Sequence, residues 1–230
     1  MSQNLDNATI SIIIPTFNEA GNIEKAIAST QASSNVEVIV VDGGSTDNTV
    51  EIIQNLGVKV ISSPPGRATQ MNAGALAASG EILLFLHADT RLPADFDVMI
   101  RTSLQKPGIV AGAFRLQIDA PQWGLRLVEW GVKWRSQLLQ IPYGDQAIFL
   151  TKSIFQQVGN FPQLPIMEDF ELIRRLNKLG KITIVPTSVL TSARRWIKKG
   201  VLQTTFKNQI VVLAYFLGVP PIKIRDWYRR

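Results

Sequence analysis

The chain has 230 residues, 46% hydrophobic and 18% charged, with a net charge of +6 at pH 7 and a pI of about 9.7. That size suits one α/β domain, or a domain with a short appendage, and the composition excludes a disordered or fibrous protein. The absence of cysteine excludes disulfides, thiolate nucleophiles and cysteine-based zinc sites.

Residues 10–14 carry four isoleucines and end at Pro15, which reads as a buried strand. A helix is expected over 19–30, then a second strand over 36–41, closed by Asp42, Gly43 and Gly44. Ser45, Thr46 and Asp47 offer N-cap chemistry for a helix over 49–56. A third strand spans 58–61, and a loop holds Pro64, Pro65 and Gly66. An alanine-rich helix runs over 68–78 to Gly80, and a fourth strand spans 81–86. Beyond Asp89 the expected elements are a helix over 94–105, a strand over 109–118 and a helix over 125–139. In that last helix Leu127, Trp130, Trp134 and Leu138 fall close to helical spacing. A short strand over 146–150, a helix over 168–179 and a strand over 181–185 follow. In the tail, Leu202, Phe206, Ile210, Leu213 and Leu217 share one helical face. Two readings of that face stand: it packs on the domain, or, flanked by Lys198, Lys199, Arg229 and Arg230, it lies on an anionic membrane.

Strand–helix alternation of this length implies a mostly parallel sheet with helices on both faces. Ligands bind such sheets at the carboxyl ends of the strands, and Asp42 and Asp89 both fall there. Residues 1–9 lack an apolar signal region, and no run reaches the roughly 18 apolar residues of a spanning helix. The expected setting is therefore cytoplasmic, with peripheral contact to a membrane from that side. Basic residues gather late, at Arg194, Arg195, Lys198 and Lys199 and again at Lys223 and Arg225. With no RNA-binding or helix-turn-helix signature, this fits local phosphate binding rather than nucleic acid.

Several short segments carry chemistry. Asp89, just past a buried strand, suits a hard divalent cation that bridges nucleotide phosphates. His87, the single histidine, can ligate such an ion or contact phosphate or ribose; alternatively it points into the core and Asp89 caps a turn. Asp42, in a turn with two glycines, can accept hydrogen bonds from a base or ribose, or simply shape the turn. Glu168 and Asp169 open a helix, either as a general base or as surface acids at a helix N-terminus. Arg195 and Trp196 combine a diphosphate-binding fork with a stacking face. Arg67 can reach a pyrophosphate or a base, and Tyr143 and Asp145 sit in a polar turn suited to lining a sugar pocket.

The order of these segments is more specific than any one of them. Pro15-Thr16-Phe17-Asn18-Glu19, Asp42-Gly43-Gly44-Ser45, Gly66-Arg67, His87-Ala88-Asp89, Glu168-Asp169 and Arg195-Trp196 together resemble the family 2 glycosyltransferases, from about Ser11 to Trp196. The resemblance implies a GT-A fold, a Rossmann-like nucleotide-binding half over residues 1–92, an acceptor-binding half over 93–200, and a C-terminal helical tail over 201–230. It implies inverting transfer of a sugar from a nucleotide-diphosphate donor, with a UDP-sugar the leading candidate, to an unidentified acceptor that can be lipid-linked. It also implies Mn²⁺ or Mg²⁺ on Asp89 and Asp169 as catalytic base. Pro15, Thr16, Asn18 and Glu19 would flank the nucleoside, Asp42 and Arg67 the base, and Arg195 and Trp196 the diphosphate or acceptor.

Three positions depart from the family pattern. His87 replaces the first acid of Asp-x-Asp, Gly43 replaces the second of an acidic pair, and Ser192 replaces the glutamine of Gln-x-x-Arg-Trp. The His-Ala-Asp form resembles a compact bacterial subgroup of the family. Two other functions are compatible with the motifs: a nucleotidyltransferase, although Pro15–Glu19 is not a glycine-rich phosphate loop, and a catalytically silent nucleotide-sugar-binding protein.

Overall fold

The computed structural model describes residues 5–31, 33 and 35–229. The first four residues of the polar N-terminus, and Arg230 of the late basic cluster, lie outside the described residues, and the side chain of Arg229 is not described. The elements in chain order are β1 (Ile10–Thr16), α1 (Ile23–Ala28), β2 (Val36–Asp42), α2 (Thr49–Asn55), β3 (Lys59–Ser62), α3 (Arg67–Ala77), β4 (Ile82–Phe85) and β5 (Thr90–Arg91). There follow α4 (Phe96–Leu104), β6 (Ile109–Asp119), α5 (Trp123–Leu138), a 3-10 turn (Gly144–Gln146), β7 (Ile148–Thr151), α6 (Lys152–Gln157) and α7 (Glu168–Leu176). The chain closes with β8 (Lys181–Ser192), α8 (Arg194–Lys199), α9 (Val201–Phe216) and α10 (Pro221–Arg229).

One eight-stranded sheet runs β3-β2-β1-β4-β7-β6-β8-β5. β1 to β4 are mutually parallel, β6 is parallel to β8, and β7 and β5 run antiparallel to their neighbours. Alternate residues of β1 feed opposite faces, as a pleated strand requires. Ile10, Ile12 and Ile14 pack with Ile27, Ile53, Phe96 and Ile100 on one face, and Ile13 packs with Met71, Ala75 and Leu172 on the other. Burying each such isoleucine contributes about 1.5–3 kcal/mol. α3 lies especially close, because a Cβ at Gly74 would stand 2.4 Å from Ile13 Cγ2.

Pro15 does not end β1. The Ile13 carbonyl accepts from Leu86 N on the β4 side, and the Thr16 carbonyl accepts from Gly43 N on the β2 side. Pro15 therefore faces β4, beyond the last pair Ile13↔Phe85, where its missing N–H deprives no neighbour. Pro186 likewise fails to end β8. The register steps from Phe114↔Val185 to Arg115↔Ser188, so Pro186 and Thr187 bulge out and pairing resumes to Ser192. The expected strand over 181–185 is thus too short. The expected helix over 19–30 is too long, since residues 19–22 turn to meet the loop after β2.

The helix over 125–139 is present, but its apolar stripe does not face the core. Leu127, Trp130, Trp134 and Leu138 are 48–67% exposed, and α5 packs instead through Leu125, Val128 and Val132. The expectation that the tail's apolar face packs on the domain is also corrected. Leu202, Phe206, Leu213 and Leu217 are 59–85% exposed, while α9 and α10 dock through Val211 and Ile224 onto Ile166, Met167 and Phe170. Among the described residues, no helix is long and apolar enough to cross a membrane.

Candidate active site

β1, β2 and β4 end along one edge of the sheet, and two loops there are tied together. Asn18, at φ 54°, accepts from Thr46 N on Oδ1 at 2.8 Å, and its own N–H donates to Ser45 Oγ at 2.8 Å. Glu19 N donates to Thr49 Oγ1 at 2.8 Å, and Asp47 accepts from Thr49 N at 3.1 Å, serving the start of α2 as expected. Asp42 is 5% exposed, and its carboxylate accepts from Gly44 N (2.9 Å), Ser45 N (3.0 Å) and Ser45 Oγ (2.6 Å). It holds its own loop in shape, the second of the two readings made of it. Gln70, buried on α3, braces the same edge by donating to the Thr16 and Val41 carbonyls, both at 2.8 Å. The Thr16 hydroxyl is buried here with no hydrogen-bond partner among the described residues.

Beside this edge lies a pocket of about 220 Å³, lined by Arg67, His87, Asp89, Tyr143, Asp145 and Asp169 and closed by the C-terminal helices through Arg195, Asn208 and Tyr228. Asp89 follows β4, and its backbone is pinned by Ser192 N donating to its carbonyl at 3.0 Å. Asp169 comes from the first turn of α7, after Met167 at φ 69°. Such a left-handed non-glycine residue costs on the order of 1–3 kcal/mol and clusters at functional sites. The Gly144 N–H donates to Asp169 Oδ2 at 2.8 Å. The turn that presents it is locked by buried Gln146, which donates to the Phe114 carbonyl at 2.9 Å and accepts from Ser136 Oγ at 2.8 Å.

Gly144 fits only because it lacks a side chain. A Cβ there would stand 3.0 Å from His87 Nε2 and 3.2 Å from Asp169 Oδ2. Gly144→Ala is therefore expected to displace one of the two by a few tenths of an ångström. Turnover should fall on the order of tenfold with thermal stability nearly unchanged, which kcat and a melting curve on the same preparation will check.

The pocket is rich in acids that lack full compensation. Burial pushes Asp89 above the usual carboxylate range, with Glu19 acting in the same direction and Arg194 opposing. Burial pushes Asp145 up to about 6, with Asp169 and Asp89 adding to the shift while Arg135 and Arg67 oppose it. Asp145 Oδ1 is buried without a hydrogen-bond partner among the described residues. Glu168, 2% exposed, is raised by burial and held against Arg67, whose Nε lies 3.1 Å from its Oε1. His87 is lowered to about 3 by burial and by Arg67, so its ring is neutral at pH 7.

The raised Asp145 carboxyl sets a pH dependence. The folded chain holds its proton more tightly than the unfolded chain between the ordinary value of 3.8 and about 6, so this group's contribution to stability falls as pH rises through that window. Asp145→Asn should raise the melting temperature at pH 7.5, and by roughly half as much at pH 5, where part of that window has already been crossed. The scale is roughly 2–4 °C for each ~1 kcal/mol in a chain of this size. An equal shift at both pH values would contradict the assignment.

A divalent cation is compatible with this donor set. Among the described residues no three of His, Asp and Glu converge as a complete ligand cage. An ion held by one or two carboxylates and completed by substrate phosphates and water needs no such cage. Asp89 and the unpartnered Asp145 oxygen offer that hard oxygen chemistry where negative charge is in excess.

The pocket gathers His87, Asp89, Tyr143, Asp145, Asp169, Arg195 and Trp196, and Glu168 adjoins it through Arg67. Pro15, Thr16, Asn18 and Asp42 stay at the neighbouring loops. Arg67 sits against Glu168 and lines the pocket. Glu19 accepts from Arg194 at 2.7 Å, which brings it toward Asp89. Arg195 lies 4.4 Å over the Tyr228 ring, and the Trp196 indole N–H is buried without a partner among the described residues. Sequence reasoning missed Gly144, Gln70, Asn208 and Tyr228, whose positions depend on contacts distant in the chain.

Comparison with known proteins agrees with this fold. The family model described as Glycosyl transferase family 2 matches residues 11–157. A PGL/p-HBAD biosynthesis glycosyltransferase of Mycobacterium bovis is 41% identical over 166 residues, covering 66% of this chain and 62% of that protein. The glycosyltransferase AglE of Haloferax volcanii is 38% identical over 91 residues, covering 35% of this chain and 30% of that protein. The chain thus spans less than two thirds of the curated relatives it matches. Among solved structures, a mannosyltransferase from Pyrobaculum calidifontis in complex with GDP-Man and Mn²⁺ superposes with TM-score 0.64 at 20% identity, over 80% of this chain and 56% of that one. Glucosyl-3-phosphoglycerate synthase from Mycobacterium tuberculosis, with Mn²⁺, UDP and its glucosylated product, gives TM-score 0.64 at 21% identity, over 93% of this chain and 81% of that one. The fold is that of the GT-A glycosyltransferases.

Proposed function

The chain belongs to glycosyl transferase family 2, and from that premise we propose that its pocket moves a sugar from a nucleotide-diphosphate donor to an acceptor hydroxyl with inversion. The observation that carries this reading is the pairing in one pocket of Asp169, held by the Gly144 N–H, with Asp89 at the end of β4. Asp169 takes the proton of the acceptor hydroxyl, the oxygen bonds to the anomeric carbon, and the bond from that carbon to the diphosphate breaks on the opposite side. The nucleoside diphosphate leaves with the electron pair. Asp89 would hold Mn²⁺ or Mg²⁺, which when bound would supply charge stabilisation for the departing diphosphate.

The remaining residues bind and orient. Neutral His87 offers a ring nitrogen to a phosphate or ribose oxygen, and Arg195 offers its fork to the diphosphate. Arg67 holds Glu168 in place, and its side chain lines the pocket where the phosphates are expected. Residues 1–92 hold the nucleotide and 93–200 the acceptor, and the tail over 201–230 completes the pocket with Asn208 and Tyr228. A UDP- or GDP-sugar is the expected donor, since the superposed glycosyltransferases were solved with UDP or GDP-Man. A thermal-shift panel of nucleoside diphosphates and their sugars, with and without Mn²⁺, tests this. One nucleotide should stabilise the protein more with Mn²⁺ than without, and no shift for any nucleotide would count against the reading.

A further inference from the structure

The C-terminal half of the molecule turns apolar side chains outward in an ordered way. Of the 18 large hydrophobic residues exposed among the described residues, 14 lie within 123–139 and 197–227. On α5 they are Trp123, Leu127, Trp130, Trp134 and Leu138, and on α9 and its C-cap Leu202, Phe206, Leu213, Phe216 and Leu217. The first set falls at i, i+4, i+7, i+11 and i+15 and the second at i, i+4, i+11, i+14 and i+15, so each forms a single stripe along its helix. The two helices are neighbours, joined where Gly124 approaches Val201. Two adjacent helices with outward apolar stripes make a patch of a kind that marks an interaction surface.

Charge identifies what covers it. Helices α5, α8, α9 and α10 carry eleven of the chain's 24 basic residues and two of its 18 acidic ones, a net of +9 that leaves −3 for the rest of the chain. A second copy laid on this face would set +9 against +9. An anionic bilayer attracts the same surface, and tryptophan and lysine beside leucine are the side chains that settle at its interface. Arg195, Lys198, Lys199 and Lys207 also line one cavity of about 290 Å³, and Thr204, 3% exposed, adds a hydroxyl with no hydrogen-bond partner among the described residues. That cavity suits a phosphate oxygen.

A groove of about 680 Å³ opens between the stripes. Its walls include Trp123, Leu127, Val132 and Leu202, and it ends at Tyr143, Asp145 and Trp196, which also line the pocket of Asp169. We propose that α5, α8, α9 and α10 rest on an anionic bilayer and that this groove admits the hydrocarbon chain of an acceptor carried by that bilayer. The acceptor half of this inference rests on the glycosyl-transfer reading of the pocket; the bilayer half does not.

The test uses the full chain and vesicles of phosphatidylcholine with or without phosphatidylglycerol. Wild type should co-sediment with the anionic vesicles. Phe206→Asp with Leu213→Asp should abolish this, and Lys198→Glu with Lys199→Glu should weaken it by roughly an order of magnitude or more. Gly131→Trp, at a groove-lining position where a Cβ meets nothing within 4 Å, should keep vesicle binding and lose uptake of a fluorescent long-chain alcohol. Wild type left in the supernatant, or Phe206→Asp with Leu213→Asp pelleting like wild type, would overturn the bilayer assignment. So would a dimer in sedimentation velocity that the same pair splits, since the face would then lie between copies. Unchanged probe uptake by Gly131→Trp would overturn the groove assignment. The nucleotide-dependent thermal shift should persist in all three variants, and its absence from wild type would count against glycosyl transfer instead.

Discussion

Asp169→Asn is expected to reduce turnover roughly 10²–10⁴-fold, the contribution of a positioned general base, and to leave nucleotide affinity close to wild type. The substitution keeps the volume of the side chain and an oxygen that the Gly144 N–H can reach, so the turn over Gly144–Gln146 should stand. It removes only the capacity to take a proton. Glu168 cannot substitute, because it is buried against Arg67. The effect should therefore appear in kcat, with nucleotide binding retained by calorimetry on the same protein. Near-normal kcat would show that another group takes the proton, and Asp145 would be the first to examine.

The second large effect is expected at Asp89. Asp89→Ala should erase the part of nucleotide affinity that depends on Mn²⁺. The pocket gathers Asp89, Asp145 and Asp169, and a diphosphate in it would meet like charges that repel strongly in a partly buried site. On the proposed reading Asp89, at the sheet edge, would hold a cation that would offset that repulsion. Removing Asp89 also removes one negative charge, so affinity without metal should hold steady or rise slightly. The informative quantity is thus the difference between titrations with and without Mn²⁺, which should vanish in the variant. A metal-dependent increment as large as in wild type would place the ion elsewhere.

The half of the site borne on consecutive strands was legible in the sequence. Apolar runs ending at Asp42 and just before His87 marked parallel strands, and their carboxyl ends meet at one edge because parallel strands share a direction. Helical periodicity was less informative. A 3.6-residue repeat reports that a helix has an apolar face, not which way it looks, so the spacing of Trp130 and Trp134 marked a helix and left open that the stripe is exposed. Proline was overweighted at Pro15, which pairs with Val41 of β2 and turns its missing N–H beyond the last β4 pair; the strand expected over 181–185 likewise runs on past Pro186, which sits in a bulge. The second half of the site depends on contacts across the chain. Gly144 meets Asp169 from 25 residues away, Gln70 reaches Thr16 from 54, and no local pattern announces either. Arg67 was singled out for a pyrophosphate or a base, and only the folded chain shows that it faces Glu168. α10 was anticipated only as part of a helical tail over 201–230, with no role in the site, and its Tyr228 supplies a wall of the pocket.

The central claim is direct displacement at an anomeric carbon in the Asp89–Asp169 pocket. Proton NMR of a reaction with the nucleotide sugar that the thermal-shift panel selects, with Mn²⁺ present, observes that event itself. For an α-linked donor the account predicts release of the nucleoside diphosphate and first appearance of the β-anomer in the transferred or hydrolysed sugar, with neither signal in Asp169→Asn. An α-anomer formed first, or nucleotide release undiminished in Asp169→Asn, would contradict it.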